Sequence, residues 1–196
     1  MIKNLFTFLA LITLSSIAGA SSFVIDQHND SLTAFQGYTS ASGFAGQSFS
    51  PTANALDHIE LQLNAQTSTA AAVHVELYDA VGGTNLGTSN TLSFTGTTLE
   101  LAHFEFSLID ISAYTSLFMQ IVAESGTFGA FLAGGFGANS YLGGQAYAHT
   151  IAATGFRADD DLWFRTGVSE VPVPAAIFMF APALLGFLGI RRKRQA

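Results

Sequence analysis

Reactive side chains are scarce in this sequence, and its histidines and carboxylates stand out among them. His74 and Glu76 stand two apart in Val73-His74-Val75-Glu76-Leu77. A strand would put both on one face, as a metal site requires, although a solvated or edge pair is the plainer reading. The other histidines, His28, His58, His103 and His149, form no His-x-x-x-His or other compact ligand set. Asp159-Asp160-Asp161 is the densest run of charge in the chain. Carboxylates gathered on a loop suit Ca²⁺, a hard cation that takes oxygen ligands. The run lacks the spacing of an EF-hand loop, and a solvated turn before the last strand accounts for it more simply. No metal ligand and no cofactor is therefore assigned.

Catalysis has little to stand on. Glu100 and Glu105 would form a glycosidase pair only at a separation of about 5–9.5 Å across a cleft, which spacing alone does not establish. There is no Gly-x-Ser-x-Gly elbow, no His-Glu-x-x-His and no phosphate loop. Without cysteine there is no disulfide, thiolate zinc site, Fe–S cluster or cysteine nucleophile. The expectation is a protein that is not an enzyme, with no catalytic residue. A glycine-rich stretch over 126–147 carries Phe128, Phe131, Phe136, Tyr141 and Tyr147, and Trp163 follows. Exposed rings of this kind stack on sugars. Ordinary core packing is the simpler assignment.

Alternation of period two marks the elements that must carry these groups. Ile59, Leu61 and Leu63 point one way, with Glu60 and Gln62 between them, and Val73, Val75 and Leu77 repeat the pattern. Leu99 and Leu101 open a further run, which shifts phase at Ala102-His103 and continues as Phe104, Phe106 and Leu108, predicting a β-bulge there. Leu117 to Val122 is apolar on both faces and reads as a central strand. Leu162 to Thr166 reads as the last strand, with Leu162 and Phe164 on one face and Trp163 and Arg165 on the other. Turn signals at Ser50-Pro51, Asp79 to Gly83, Gly96, Ser125-Gly126 and Gly143-Gly144 separate the runs. Eight to ten short strands predict an all-β protein, a jelly-roll-like two-sheet β-sandwich over residues 21–170.

Composition bounds the rest. The chain has 196 residues, 49% of them hydrophobic and only 11% charged, with a formal net charge of −7. Charge-driven disorder is excluded, and nucleic acid is not an expected partner, since a phosphate backbone needs a basic surface.

The two ends read as addresses. Lys3, the apolar run Leu5 to Leu14 and the small-x-small triplet Ala18-Gly19-Ala20 make residues 1–20 a secretory signal peptide, cut by signal peptidase after Ala20. At the other end, residues 171–196 begin Val171-Pro172-Val173-Pro174-Ala175-Ala176. An uncharged stretch follows to Ile190, and then the basic stop Arg191-Arg192-Lys193-Arg194. About 20 residues at ~1.5 Å rise cross the ~30 Å hydrocarbon core, so a C-terminal transmembrane helix is expected. Its basic stop is held inside by the positive-inside rule. Pro172 and Pro174 keep the segment before it extended. Between the ends lie two arginines and all fourteen acids, so the body carries a net charge of −12.

This tripartite tail resembles the PEP-CTERM sorting signal of Gram-negative bacteria, in a Val-Pro-x-Pro form with Val173 where the common motif has an acid. The resemblance covers Val171 to Arg194. It implies an exosortase as processing partner and an inner-membrane precursor. It further implies a mature form at the cell surface or in the matrix, associated with extracellular polysaccharide or biofilm. The body is also similar to the small jelly-roll domains found before this signal, through Gln47-Ser48-Phe49-Ser50-Pro51, Val75-Glu76-Leu77-Tyr78 and Asp161-Leu162-Trp163-Phe164-Arg165-Thr166. The expected function is that of a non-catalytic exported surface or matrix protein. The alternative is a carbohydrate-binding or Ca²⁺-dependent adhesion module.

Overall fold

A computed structural model describes residues 23–30, 32–40, 44–67, 69–149, 154–157 and 159–169. The expected signal peptide with Ala18 and Ala20, the sorting motif Val171 to Ala176, the transmembrane helix and the basic stop Arg191 to Arg194 lie outside the described residues.

Thirteen strands and no helix are found among the described residues. In chain order they are β1 (Phe23–Asn29), β2 (Ala34–Ser40), β3 (Phe44–Phe49), β4 (Ala55–Ala65), β5 (Ala71–Tyr78), β6 (Asn85–Thr88), β7 (Leu92–Phe94), β8 (Glu100–Asp110), β9 (Leu117–Ser125), β10 (Phe128–Ala133), β11 (Ala146–His149), β12 (Thr154–Arg157) and β13 (Phe164–Ser169). The count exceeds the eight to ten expected because β2, β3, β11 and β12 are short and rich in Gly, Ser, Thr and Ala, with little alternation to read, and a bulge at Asp26 interrupts β1.

Two antiparallel sheets form a β-sandwich. One runs β1-β13-β4-β10-β2, with β8 on the other edge of β4; the second runs β12-β11-β3-β9-β5-β6, with β7 beside β6 along β5. Every described pairing is antiparallel, and β1 and β13 lie side by side with Phe23 opposite Ser169. Ile59, Leu61, Leu63, Phe104, Phe128 and Phe164 from the first sheet share one core with Phe49, Val73, Val75, Leu77, Met119 and Ile121 from the second. Each such side chain contributes roughly 1.5–3 kcal/mol on leaving water.

Alternation along β5 is strict, with Val73, Val75 and Leu77 buried. Along β4 it is not, because His58, Glu60 and Asn64 are buried on the opposite face as well. The strand is central, flanked by β8 on one edge and β13 on the other. The phase shift expected at Ala102-His103 is not there. Ala102 and His103 pair in register with Leu61 and Glu60, while Leu99 and Leu101 simply face outward. The irregularity falls further along β8, where Phe106, Ser107 and Leu108 stand against Asp57 alone. The last strand starts at Phe164, and Leu162 makes only an isolated bridge to Leu132.

Turns form where glycine or a side-chain acceptor permits them. Gly126, at φ 70°, makes the turn by which the chain passes from β9 in the second sheet to β10 in the first. A Cβ there would also strike the carbonyl of Ala70. In β1 a bulge at Asp26 turns the carboxylate toward the loop after β3, where it accepts from the backbone N–H groups of Thr52 and Ala53, the latter at 2.8 Å.

Candidate functional site

The outer face of the β4 sheet gathers the polar groups that the core excludes. Register sets them in rows across the strands. His103 on β8 stands opposite Glu60 on β4, Glu60 opposite Arg165 on β13, and Arg165 opposite His28 on β1. In the next row Glu105 stands opposite His58, and His58 opposite Gly167.

Glu60 is the hub. Its Oε1 lies 2.8 Å from His103 Nδ1 and 3.9 Å from His58 Nε2, and its Oε2 accepts from Arg165 Nη1 at 3.1 Å. Arg165 also donates through Nε to Asp30, which His28 Nδ1 approaches at 2.7 Å. Glu60 is 4% exposed and His58 6%, whereas the His103 side chain is 53% exposed. The Phe23 ring lies 4.3 Å from that of His58. There is room for it because Gly167 has no side chain.

These burials have electrostatic consequences. Burial lowers the His58 pKa, and His103 adds to this while Glu60, Asp57 and Glu105 oppose it. Burial by itself would raise Asp30, but hydrogen bonds and charge from Arg165 and His28 outweigh it and hold the carboxyl below its usual range. Arg165 is pushed down by burial and held up by Asp30 and Glu60, with a net upward result. Among the described residues, His58, Glu60 and His103 could hold a cation, since their donor atoms all lie within 4.8 Å of one another.

His74 and Glu76 do share a face of β5, but as part of an ion-pair network. His74 Nδ1 lies 2.9 Å from Glu124 Oε1, Thr91 donates to the same oxygen, and Tyr78 and Gln120 donate to Glu76.

The three aspartates diverge and do not form one ligand set. Asp161 is fully buried; its Oδ1 accepts from Gln47 Nε2 and its Oδ2 from the N–H groups of Ser140 and Tyr141. It is a strut inside the fold and no solvated turn. Burial raises its pKa against the pull of those hydrogen bonds. Asp160 instead accepts from Gly137 N, and Asp159 is exposed.

Glu100 and Glu105 sit five residues apart on one strand, roughly 17 Å at ~3.4 Å per residue, outside the range of a carboxylate pair. The aromatic side chains follow the simpler assignment, core packing, for the most part. Phe128 and Tyr141 are buried, Phe131 and Tyr147 are half-buried, and Phe136 is exposed. Trp163 is 5% exposed and lies beneath the Arg165 guanidinium, 5.1 Å from the ring centroid.

Searched against known families and curated proteins, the chain matches no family model and no curated protein.

The cluster around Glu60 was not evident from single motifs, yet a signal exists. His-x-Glu occurs three times, at His58-Ile59-Glu60, His74-Val75-Glu76 and His103-Phe104-Glu105. Antiparallel pairing of β4 with β8 crosses the first and third, setting each histidine opposite the other's glutamate.

Proposed function

We propose that this chain is a non-catalytic exported protein of the cell surface or extracellular matrix. Signal peptidase removes residues 1–20, the tail holds the precursor in the inner membrane, and an exosortase cuts near Val171 to Pro174. The observation that carries this reading is the order of the C-terminal segments: the Val-Pro-x-Pro motif, an uncharged stretch to Ile190, then Arg191 to Arg194. Its resemblance to the PEP-CTERM signal supports exopolysaccharide or biofilm as the destination.

The body fits a passive role. Gln47, Asp161, Tyr141 and Asn29 spend their polar atoms on holding strands and loops together. A jelly roll is the finer reading of the fold. It is supported by sheet neighbours drawn from opposite ends of the body, β1 with β13 and β3 with β11. Both motifs that resemble jelly-roll domains at these ends meet in space through the Gln47–Asp161 contact. The alternative, a carbohydrate-binding or Ca²⁺-dependent module, has less support, because the Asp161 carboxylate is occupied and Trp163 is covered.

The test is the intact mass of the protein recovered from an exosortase-bearing host. The expected product lacks residues 1–20 and everything beyond the motif. Recovery of the basic tail in the surface fraction would overturn the reading.

A further inference from the structure

We propose that His58 Nε2, Glu60 Oε1 and His103 Nδ1 form a binding site for one divalent transition-metal ion of the Zn²⁺ class, on the outer face of the sheet. The inference goes beyond the sorting reading and does not depend on it.

Geometry comes first. The three donor atoms lie within 4.8 Å of one another, with Glu60 Oε1 at 2.8 Å from one imidazole nitrogen and 3.9 Å from the other. Tetrahedral zinc with bonds of about 2.0–2.1 Å separates its ligands by about 3.3 Å. Small rotations of the two rings bring the atoms to that spacing.

The second observation is independent of the clustering. His58 Nε2 is buried and has no hydrogen-bond partner. Leaving such an atom unpaired costs about 1–3 kcal/mol, and native folds rarely tolerate it without reason. Glu60 Oε1 stands 3.9 Å away, too far for a hydrogen bond but close enough to share an ion with it. Burial also favours the neutral ring, the form that ligates.

The donor set selects the metal class. Two imidazoles and one carboxylate suit Zn²⁺ and its neighbours, whereas Ca²⁺ and Mg²⁺ prefer oxygen throughout. Support is rigid, because His58 and Glu60 sit on the central strand and His103 on its paired neighbour. Arg165 holds the second Glu60 oxygen and orients the carboxylate, an outer-shell role. Asp30 balances the guanidinium charge. His103 is the exposed ligand. Its Nδ1 turns from Glu60 to the metal, any proton on it passing to water, and water completes the coordination.

The experiment uses the full chain, without a polyhistidine tag, in detergent micelles and stripped by a chelator. Calorimetric titration with ZnCl₂ is expected to show one ion per chain, with no binding of CaCl₂ or MgCl₂. His103→Ala also takes a partner from Glu60, so the metal-free melting temperature should fall modestly, while zinc affinity, titrated well below that temperature, falls at least about tenfold. His74→Ala, outside the cluster, should leave affinity unchanged. Loading with Co²⁺ should give the visible bands of a tetrahedral site, and His103→Ala should abolish them. Absence of zinc binding, or equal affinity in His103→Ala and the parent chain, overturns the assignment.

Discussion

Gln47 and Asp161 lie 114 residues apart in sequence, and Gln47 Nε2 donates to Asp161 Oδ1 at 3.0 Å in the interior. The contact closes a circuit, since Gln47 Oε1 accepts from Leu162 N and Asp161 Oδ2 from Ser140 N and Tyr141 N. One amide and one carboxylate thereby tie β3, the approach to β13 and the glycine-rich loop. Tyr141 extends the tie, donating its hydroxyl to Gln27 and meeting Phe164 edge-on with ring centroids 5.0 Å apart.

Removing Asp161 should be costly. Asp161→Ala takes the acceptor from three donors, two of them in buried hydrogen bonds, and is expected to destabilise the body by about 3 kcal/mol in urea unfolding. Asp161→Asn keeps the shape but sets an amide donor against one of those donors, and should cost about half as much. A double-mutant cycle with Gln47→Ala should return a coupling of about 1–3 kcal/mol. A coupling near zero would show that the circuit is incidental.

Asp30 predicts an acid limb. Its pKa is below the ordinary 3.8 in the folded chain, so between the folded value and 3.8 the unfolded chain binds more proton. The contribution is therefore complete above 3.8 and is lost as pH falls through the lower, folded value. Asp30→Asn should cost about 1–2 kcal/mol at neutral pH and nothing well below 3.8, when urea midpoints are compared. Asp161 acts with the opposite sign. Its raised pKa means that its contribution is complete below 3.8 and declines as pH rises through the folded value. Asp161→Asn should thus flatten a decline that Asp30→Asn leaves in place.

Arg165 is the counter-charge that allows Glu60 to be buried. Arg165→Met keeps the alkyl stem but leaves that carboxylate with His103 as its remaining close partner. The expected loss is about 2 kcal/mol, moderated because the arginine is partly exposed. Glu60→Gln in the same chain should recover part of it. The chain has one tryptophan, and Arg165 lies over it, so Trp163 fluorescence reports this site directly.

Gly167 is required by contact. A Cβ at this position would strike the Val24 carbonyl and come within 2.7 Å of Phe23 Cδ2. Gly167→Ala should push β1 from β13, costing about 1–3 kcal/mol. Faster amide exchange over residues 23–29 than over β5 is the expected signature.

How legible all this was in the sequence depends on how far each element reports its own surroundings. The strand β5 declared itself because one face is apolar and the other polar. On β4 the same alternation set Glu60 and Gln62 apart from Ile59, Leu61 and Leu63, but strands and rings from elsewhere bury much of that second face too. Leu99 and Leu101 misled because they are apolar yet exposed, which moved the expected irregularity several residues from its place opposite Asp57. The cluster at Glu60 needs the β4–β8 register, a long-range fact that no local window contains. Asp161 reads as one of three surface acids until Gln47, from the far end of the body, is brought to it.

The pairing of Phe23 with Ser169 brings the beginning and end of the sandwich to a single corner. A short peptide would therefore suffice to join them into a continuous ring, and new ends could be opened at an exposed turn such as 79–84 without severing a strand. The chain thus enters the sandwich at Phe23 and leaves it at Ser169 side by side, and the strands between need no free end of their own.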